Sequence, residues 1–260
     1  MNTVTSICCY PIKGLTGEPL DSVTLSVDKP LPGDREYAFA RAGVHFDPDS
    51  PKYLKKNNFL ALVRDEKLAS LHTRIDRISH KLSISLNNIM LMVANLNNPA
   101  ECEDVAEFFR DYLDIPLNSP PRLVRAKEGT NSHSFSDVPD KAISLISLSS
   151  IREFGDRIGA RIDPMRFRAN ICFENNNPWH EFDWINRNLR IGDVILHVFK
   201  RTQRCAATTV NPITGIRDIN VPRALQVHYS HTDMGIYARV VESGIINLGD
   251  EIELISAKLY

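Results

Sequence analysis

The chain has 260 residues, enough for one large domain or two modest ones with a substantial core. It is 43% hydrophobic and 24% charged with a formal net charge of -1, so charge gives no case for a nucleic-acid or membrane partner. No apolar run approaches the roughly 18 residues that span a bilayer, and the N-terminus lacks the basic-then-apolar order of a secretory signal.

Short strand-like runs dominate the first hundred residues. Val4–Tyr10 is apolar and ends at Pro11, and Tyr37–Arg41, Leu60–Arg64 and Leu71–Ile75 continue the pattern. Lys81–Leu86 and Met90–Asn95 flank Asn87-Asn88, which reads as a tight hairpin turn. A helix is expected from Asn98 as N-cap, with Pro99 at its first position. Its apolar stripe is Val105, Phe108, Phe109 and Tyr112, and Pro116 closes it. The Pro-, Ser-, Gly- and Asp-rich segment 118–141 reads as a linker or a long functional loop. A second helix is expected near Ser150, with Glu153 closing a capping box and Gly159 following its end. Strands resume at Phe167–Phe173, Val194–Lys200, Tyr237–Val241 and Glu251–Ile255. Many short strands and few helices predict a mainly β, barrel-rich protein rather than a doubly wound sheet.

The five cysteines are scattered without framework spacing, which predicts a reduced, cytoplasmic setting. Cys8, Cys9 and Cys172 sit in apolar strands and read as core. Cys102 lies in a helix's first turn, but Glu101, Glu103 and Asp104 oppose a thiolate there. Cys205 follows Lys200-Arg201-Thr202-Gln203-Arg204, where three cations favour a thiolate, the form needed by a nucleophile or a soft metal ligand. On these residues alone, an inert strand-end cysteine is an equal reading. Arg168, read as a strand residue, needs an anionic partner, either an internal carboxylate or a bound phosphate. Lys13 and Arg35 pose the same question, or form surface ion pairs. Glu181 and Asp183 read as capping or surface residues, and His228 and His231 lack further metal ligands. There is no phosphate-loop motif, no G-x-G-x-x-G and no cysteine set for an iron–sulfur cluster.

These pieces resemble a known family. Arg168-Ala169-Asn170-Ile171, Pro178-Trp179, Leu189-Arg190-Ile191-Gly192-Asp193-Val194, Arg204-Cys205, Thr208-Thr209-Val210 and Gly249-Asp250 resemble, in that order, a MOSC domain, the module at the C-terminus of molybdenum cofactor sulfurases. Tyr10-Pro11-Ile12-Lys13-Gly14 and Gly33-Asp34-Arg35 resemble the N-terminal β-barrel domain that precedes it. The combination is similar to the mitochondrial amidoxime-reducing components and their bacterial relatives, and it covers nearly the whole chain.

The resemblance implies a smaller N-terminal β-barrel domain at 1–118 and a β-barrel MOSC domain at 119–260. It implies a molybdenum cofactor, molybdopterin, with Cys205 as the metal ligand and catalytic residue. Lys13, Arg168, Asn170 and Arg204 match the family's cofactor contacts, and Arg35, Lys55 and Gln203 are expected beside them. Gly14 stands where the family often has serine, and Gln203 where it often has a small residue. The ferredoxin domain of some bacterial relatives is missing, so an external electron-transfer protein of ferredoxin, flavin reductase or cytochrome type is implied. The activity implied is reduction of N-hydroxylated compounds. The alternative is a sulfur carrier holding a persulfide on Cys205, loaded by a pyridoxal-phosphate-dependent desulfurase.

Overall fold

The computed structural model describes residues 2–126 and 134–255. The first half carries β1 (Thr3–Cys9), β2 (Glu18–Leu20), β3 (Ser22–Leu25), β4 (Tyr37–Ala40), β5 (Leu71–Asp76), β6 (Lys81–Leu86), β7 (Ile89–Asn95), α1 (Pro99–Tyr112) and β8 (Arg122–Arg125). The second carries β9 (Ile143–Ser147), α2 (Leu148–Ile158), β10 (Ile171–Glu174), β11 (Asn188–Ile191), β12 (Val194–Gln203), α3 (Val221–Tyr229), β13 (Asp233–Glu242), β14 (Gly244–Asn247) and β15 (Ile252–Ile255). The protein is mainly β, as its short strand-like runs predict. No described helix is long and apolar enough to cross a membrane.

Eight strands form one curled sheet in the order β15-β11-β12-β13-β9-β10-β1-β2. The curl brings β1 round to β15: Val4 N–H donates to Asp250 O at 2.9 Å and Ile252 N–H to Asn2 O at 2.7 Å. The N-terminal strand is therefore part of the C-terminal sheet, pairing antiparallel with β10 through Ile7 and Ile171. Val194, Leu196 and Val198 of β12 point inward on alternate positions, packing with Phe173 and Trp184 in a dry core. A second core lies between α1 and the β5-β6-β7 sheet, where Val105 and Phe109 meet Leu82 and Ile84. Asn87 and Asn88 both take positive φ, so the predicted hairpin is closed by a two-residue turn of the kind asparagine tolerates.

Some expected elements are absent or shifted. Leu60–Arg64 is a turn, because Asp65 accepts the Ala61 N–H at 2.8 Å and Arg64 N–H bonds back to Ala61 O at 2.9 Å. The second helix starts at Leu148 with Ser147 as its cap, its hydroxyl accepting from Ser150 N–H. Glu153 makes no capping box; its carboxylate accepts from Trp179 Nε1 and Tyr229 OH instead. Phe167–Phe173 is not one strand. Asp163 caps a 3-10 turn at Pro164–Phe167, Arg168 then turns left-handed at φ 50, and pairing begins only at Ile171. Glu181 is not a surface residue: it is fully buried. Helix α3, with Asn220 as cap, lies in a stretch that carried no helix expectation. In the 118–141 segment, β8 pairs with β4 and residues 127–133 fall outside the described residues.

Candidate functional site

A cavity of about 400 Å³ opens where the end of β12 meets the segments after β1 and before β4. Among the described residues lining it are eight cationic side chains and two carboxylates. The backbone explains how so many cations converge. Strand β12 shifts register against β13 between Val198 and Lys200 and again between Arg201 and Gln203. Such irregularities re-aim side chains, so the consecutive residues Lys200 and Arg201 both reach the cavity, which strict alternation would forbid.

Lys13 is buried, and its ammonium donates to Phe135 O at 2.8 Å and to Asp137 Oδ1 at 2.5 Å. Gly14 next to it has φ 82, and a Cβ there would stand 3.2 Å from both Ala61 Cα and Leu60 O. Glycine is thus the residue this turn accepts without strain, which accounts for the missing serine. Arg35 is held by Asp34, whose carboxylate also accepts Tyr10 N–H, and its other nitrogen donates to Arg168 O at 3.1 Å. Arg168 stacks over the Tyr10 ring at 4.2 Å and donates to Leu15 O. Arg204 donates to Met234 O and Phe167 O. Each of these last two guanidiniums keeps one buried Nη2 with no hydrogen-bond partner among the described residues. Burial works against their charge, so each remains a donor in want of an anion.

Cys205 is half-buried at the cavity wall, capping the 3-10 turn Ala206–Thr209. Lys56 lines the same wall with its charge near the Cys205 sulfur; burial opposes the Lys56 ammonium, but Asp137 and then Cys205 raise its pKa above the ordinary lysine value. Asp137 is the mirror case. Burial disfavours its charge, yet Lys13 and then Lys56 hold the carboxyl well below the usual range. Tyr237, paired across from Lys200, completes this wall, and burial raises its phenol above the ordinary value.

The structure therefore brings Lys13, Arg35, Arg168, Asn170, Gln203, Arg204 and Cys205 to one cavity. Asn170 spends its polar atoms on the protein: its Oδ1 accepts from Ser144 N–H and Oγ, and its Nδ2 donates to Cys8 O. It ties β9, β10 and β1 together behind the cavity. Lys55 is exposed and outside the lining, because the 3-10 turn Lys56–Asn58 turns its neighbour Lys56 inward instead. Lys56, Asp137, Tyr237 and Arg166 carried no site expectation. The lysine pair was visible in the sequence, but no periodicity there says which member points in. Asp137 lies in a segment without secondary structure, where spacing carries no directional signal. Cys8 and Cys9 are buried, with burial pushing their thiols up to about 11 and about 12, as packing cysteines should be.

With this geometry in place, the comparisons are specific. Residues 130–253 match the MOSC domain family. The chain is 28% identical over 123 residues to mitochondrial amidoxime-reducing component 1 of Mus musculus, covering 43% of this chain and 36% of that protein. It is 33% identical over 95 residues to a molybdenum cofactor sulfurase of Drosophila mojavensis, covering 36% of this chain and 12% of the sulfurase. Among solved structures, the YUAD protein of Bacillus subtilis aligns over 99% of this chain and 98% of its own, with 12% identity and a TM-score of 0.40. The chain carries a MOSC domain and is homologous to the mitochondrial amidoxime-reducing components.

Proposed function

We propose that this protein binds a molybdenum cofactor in the cation-lined cavity and works as an oxidoreductase on N-hydroxylated compounds. The single observation that carries this reading is Cys205 on the wall of a cavity where eight cations outnumber two carboxylates. The residues present fit such a group. The unpartnered Nη2 atoms of Arg168 and Arg204 are donors suited to phosphate oxygens, and the Cys205 sulfur is suited to a soft metal. No cluster of three or more His, Cys, Asp and Glu side chains among the described residues could hold a metal by itself. A metal held at Cys205 would need its other ligands from the cofactor.

In this reading Lys13, Arg35, Arg168 and Arg204 hold the anionic end of the cofactor. Lys56 sets a positive charge near the Cys205 sulfur. Asn170 fixes the strand that presents Arg168, and Tyr237 closes the wall beside Cys205. The bound cofactor supplies the two-electron redox change, by which an N-hydroxylated substrate, two electrons and two protons give the N–H product and water. Electrons come from a separate protein of ferredoxin, flavin reductase or cytochrome type. We further take residues 1–118 and 119–260 as two units joined at the β1–β10 seam, and a cytoplasmic setting as consistent with five free cysteines.

A second reading keeps the same sulfur. The half-buried Cys205 beside a lysine ammonium would also stabilise a persulfide, loaded by a pyridoxal-phosphate-dependent desulfurase. Elemental analysis and oxidised-pterin fluorescence of protein made in a molybdopterin-producing host separate the two. Near-stoichiometric molybdenum and pterin, lost at least tenfold in Cys205→Ala with an unchanged melting temperature, is the expected result. Metal retained by Cys205→Ala would overturn the ligand assignment, and cyanide-releasable sulfur without metal would select the carrier.

A further inference from the structure

Two carboxylates already face the cavity's cations: Asp34 holds Arg35 and Asp137 holds Lys13. Lys13 is only 5% exposed at its side chain, whereas Asp137, its ion-pair partner, is 45% exposed. That asymmetry has a consequence. If Asp137 turned away alone, a buried ammonium would be stranded without a counter-charge, a state that burial strongly disfavours. If Asp137 turned away while another anion arrived, nothing would be stranded, because its carboxylate can rotate into water. The backbone around it need not move. Phe135 N–H donates to Arg35 O at 2.9 Å, the Phe135 ring packs on Phe46 and Phe59, and Tyr53 OH donates to Asp137 O at 2.9 Å.

We infer that Asp137 is a placeholder counter-ion: its carboxylate pairs with Lys13 until it is exchanged for the phosphate of an incoming ligand. Asp137 thereby sets which ligands enter. A neutral molecule cannot release it, since Lys13 would lose its only carboxylate among the described contacts. A dianionic phosphate can, because it replaces the carboxylate's charge among the same cavity cations, Lys13, Lys56 and Arg35. The same carboxylate keeps the cationic cavity folded before any ligand arrives. This inference rests on the reading of the cavity as a phosphate-bearing cofactor's site, but it concerns the phosphate alone.

The experiment uses the full chain purified from a host unable to make molybdopterin, titrated with inorganic phosphate in a calorimeter. Asp137→Asn should melt at a lower temperature than the parent and bind phosphate about tenfold more tightly, tenfold being the effect of removing about 1.4 kcal/mol of competition. Unchanged or weaker binding in Asp137→Asn would overturn the inference, as would no phosphate binding by either protein. Should Asp137→Asn fail to fold, the parent protein suffices. With 13C-labelled aspartate, NMR should show the depressed carboxyl of Asp137 returning toward its ordinary titration range when phosphate is bound. A carboxyl that titrates identically with and without bound phosphate sinks the idea. Molybdenum and pterin content is a separate readout, so the cofactor reading can fail while the phosphate exchange stands.

Discussion

Asp137, paired with a buried lysine but itself partly open to water, and Glu181, fully buried, are carboxylic acids that end in opposite states. Asp137 stands among Lys13, Lys56 and Arg35 and stays charged far below the usual range. Glu181 lies in a dry pocket, its Oε2 accepting from Ser150 Oγ at 2.9 Å and its Oε1 without any partner. Burial pushes its pKa up to about 7, against its backbone and the Ser150 hydroxyl. The surrounding protein penalises charge at both sites, but Asp137 keeps an outlet to water that Glu181 lacks. What differs is whether cations were buried with the acid. The cavity region stores paired charge that an anionic ligand can redistribute, whereas the Glu181 region tolerates only a proton.

The sharpest test of the dry side is Trp184, fully buried and stacked on Phe173 with ring centroids 5.2 Å apart. Trp184→Ala should cost about 3–5 kcal/mol in urea unfolding, the usual range for an aromatic truncated in a core. A loss under about 1 kcal/mol would mean that this region is looser than its burial implies.

Glu181 gives the next largest effect. Its folded pKa is raised from 4.5 to about 7, so the native state holds a proton that the unfolded chain has released across that window. Stability from the neutral acid is full below about pH 4.5 and is lost as pH rises to about 7. Glu181→Gln should remove this slope and gain, between pH 5 and pH 8, on the order of 2–3 kcal/mol relative to the parent. Parallel stability profiles for the two proteins would show that Glu181 is not the group titrating.

The cavity side should respond least. Lys13→Met leaves Asp137 free to turn into solvent, so no charge is stranded, and stability should change by no more than about 1 kcal/mol. The same variant should bind inorganic phosphate at least several-fold more weakly. A loss of stability as large as that of Trp184→Ala would erase the distinction between the two regions.

How much of this was legible in the sequence depends on what kind of signal each feature leaves. Hairpin β6–β7 was legible because two asparagines are among the few residues that accept positive φ in succession. Helix α1 was legible from Asn98, Pro99 and a 3.6-residue apolar stripe. The false strand at Leu60–Arg64 shows the limit. Its residues are apolar and Leu60–Leu62 are buried, but Asp65 captures a backbone N–H that a strand would have needed. Glu181 misled for the related reason that a polar residue in a polar-looking loop can be buried by elements distant in sequence. Lys55 and Lys56 differ only in the local turn, which no side-chain pattern reports.

The sequence by itself determined the mainly β character, helix α1 and hairpin β6–β7, and the order of motifs that resembles a MOSC domain, because these depend on residues within one or two turns of each other. It also singled out Cys205, since cations adjacent in sequence are near in space whatever the fold. Only the tertiary structure decided that β1 closes the C-terminal sheet, that Lys13 and Asp137 meet, that Lys56 rather than Lys55 lines the cavity with Cys205, and that Glu181 is buried with no ion-pair partner among the described residues. Those outcomes turn on contacts between segments tens to more than two hundred residues apart, where electrostatic and packing energies are set by distance and burial that one-dimensional spacing does not encode.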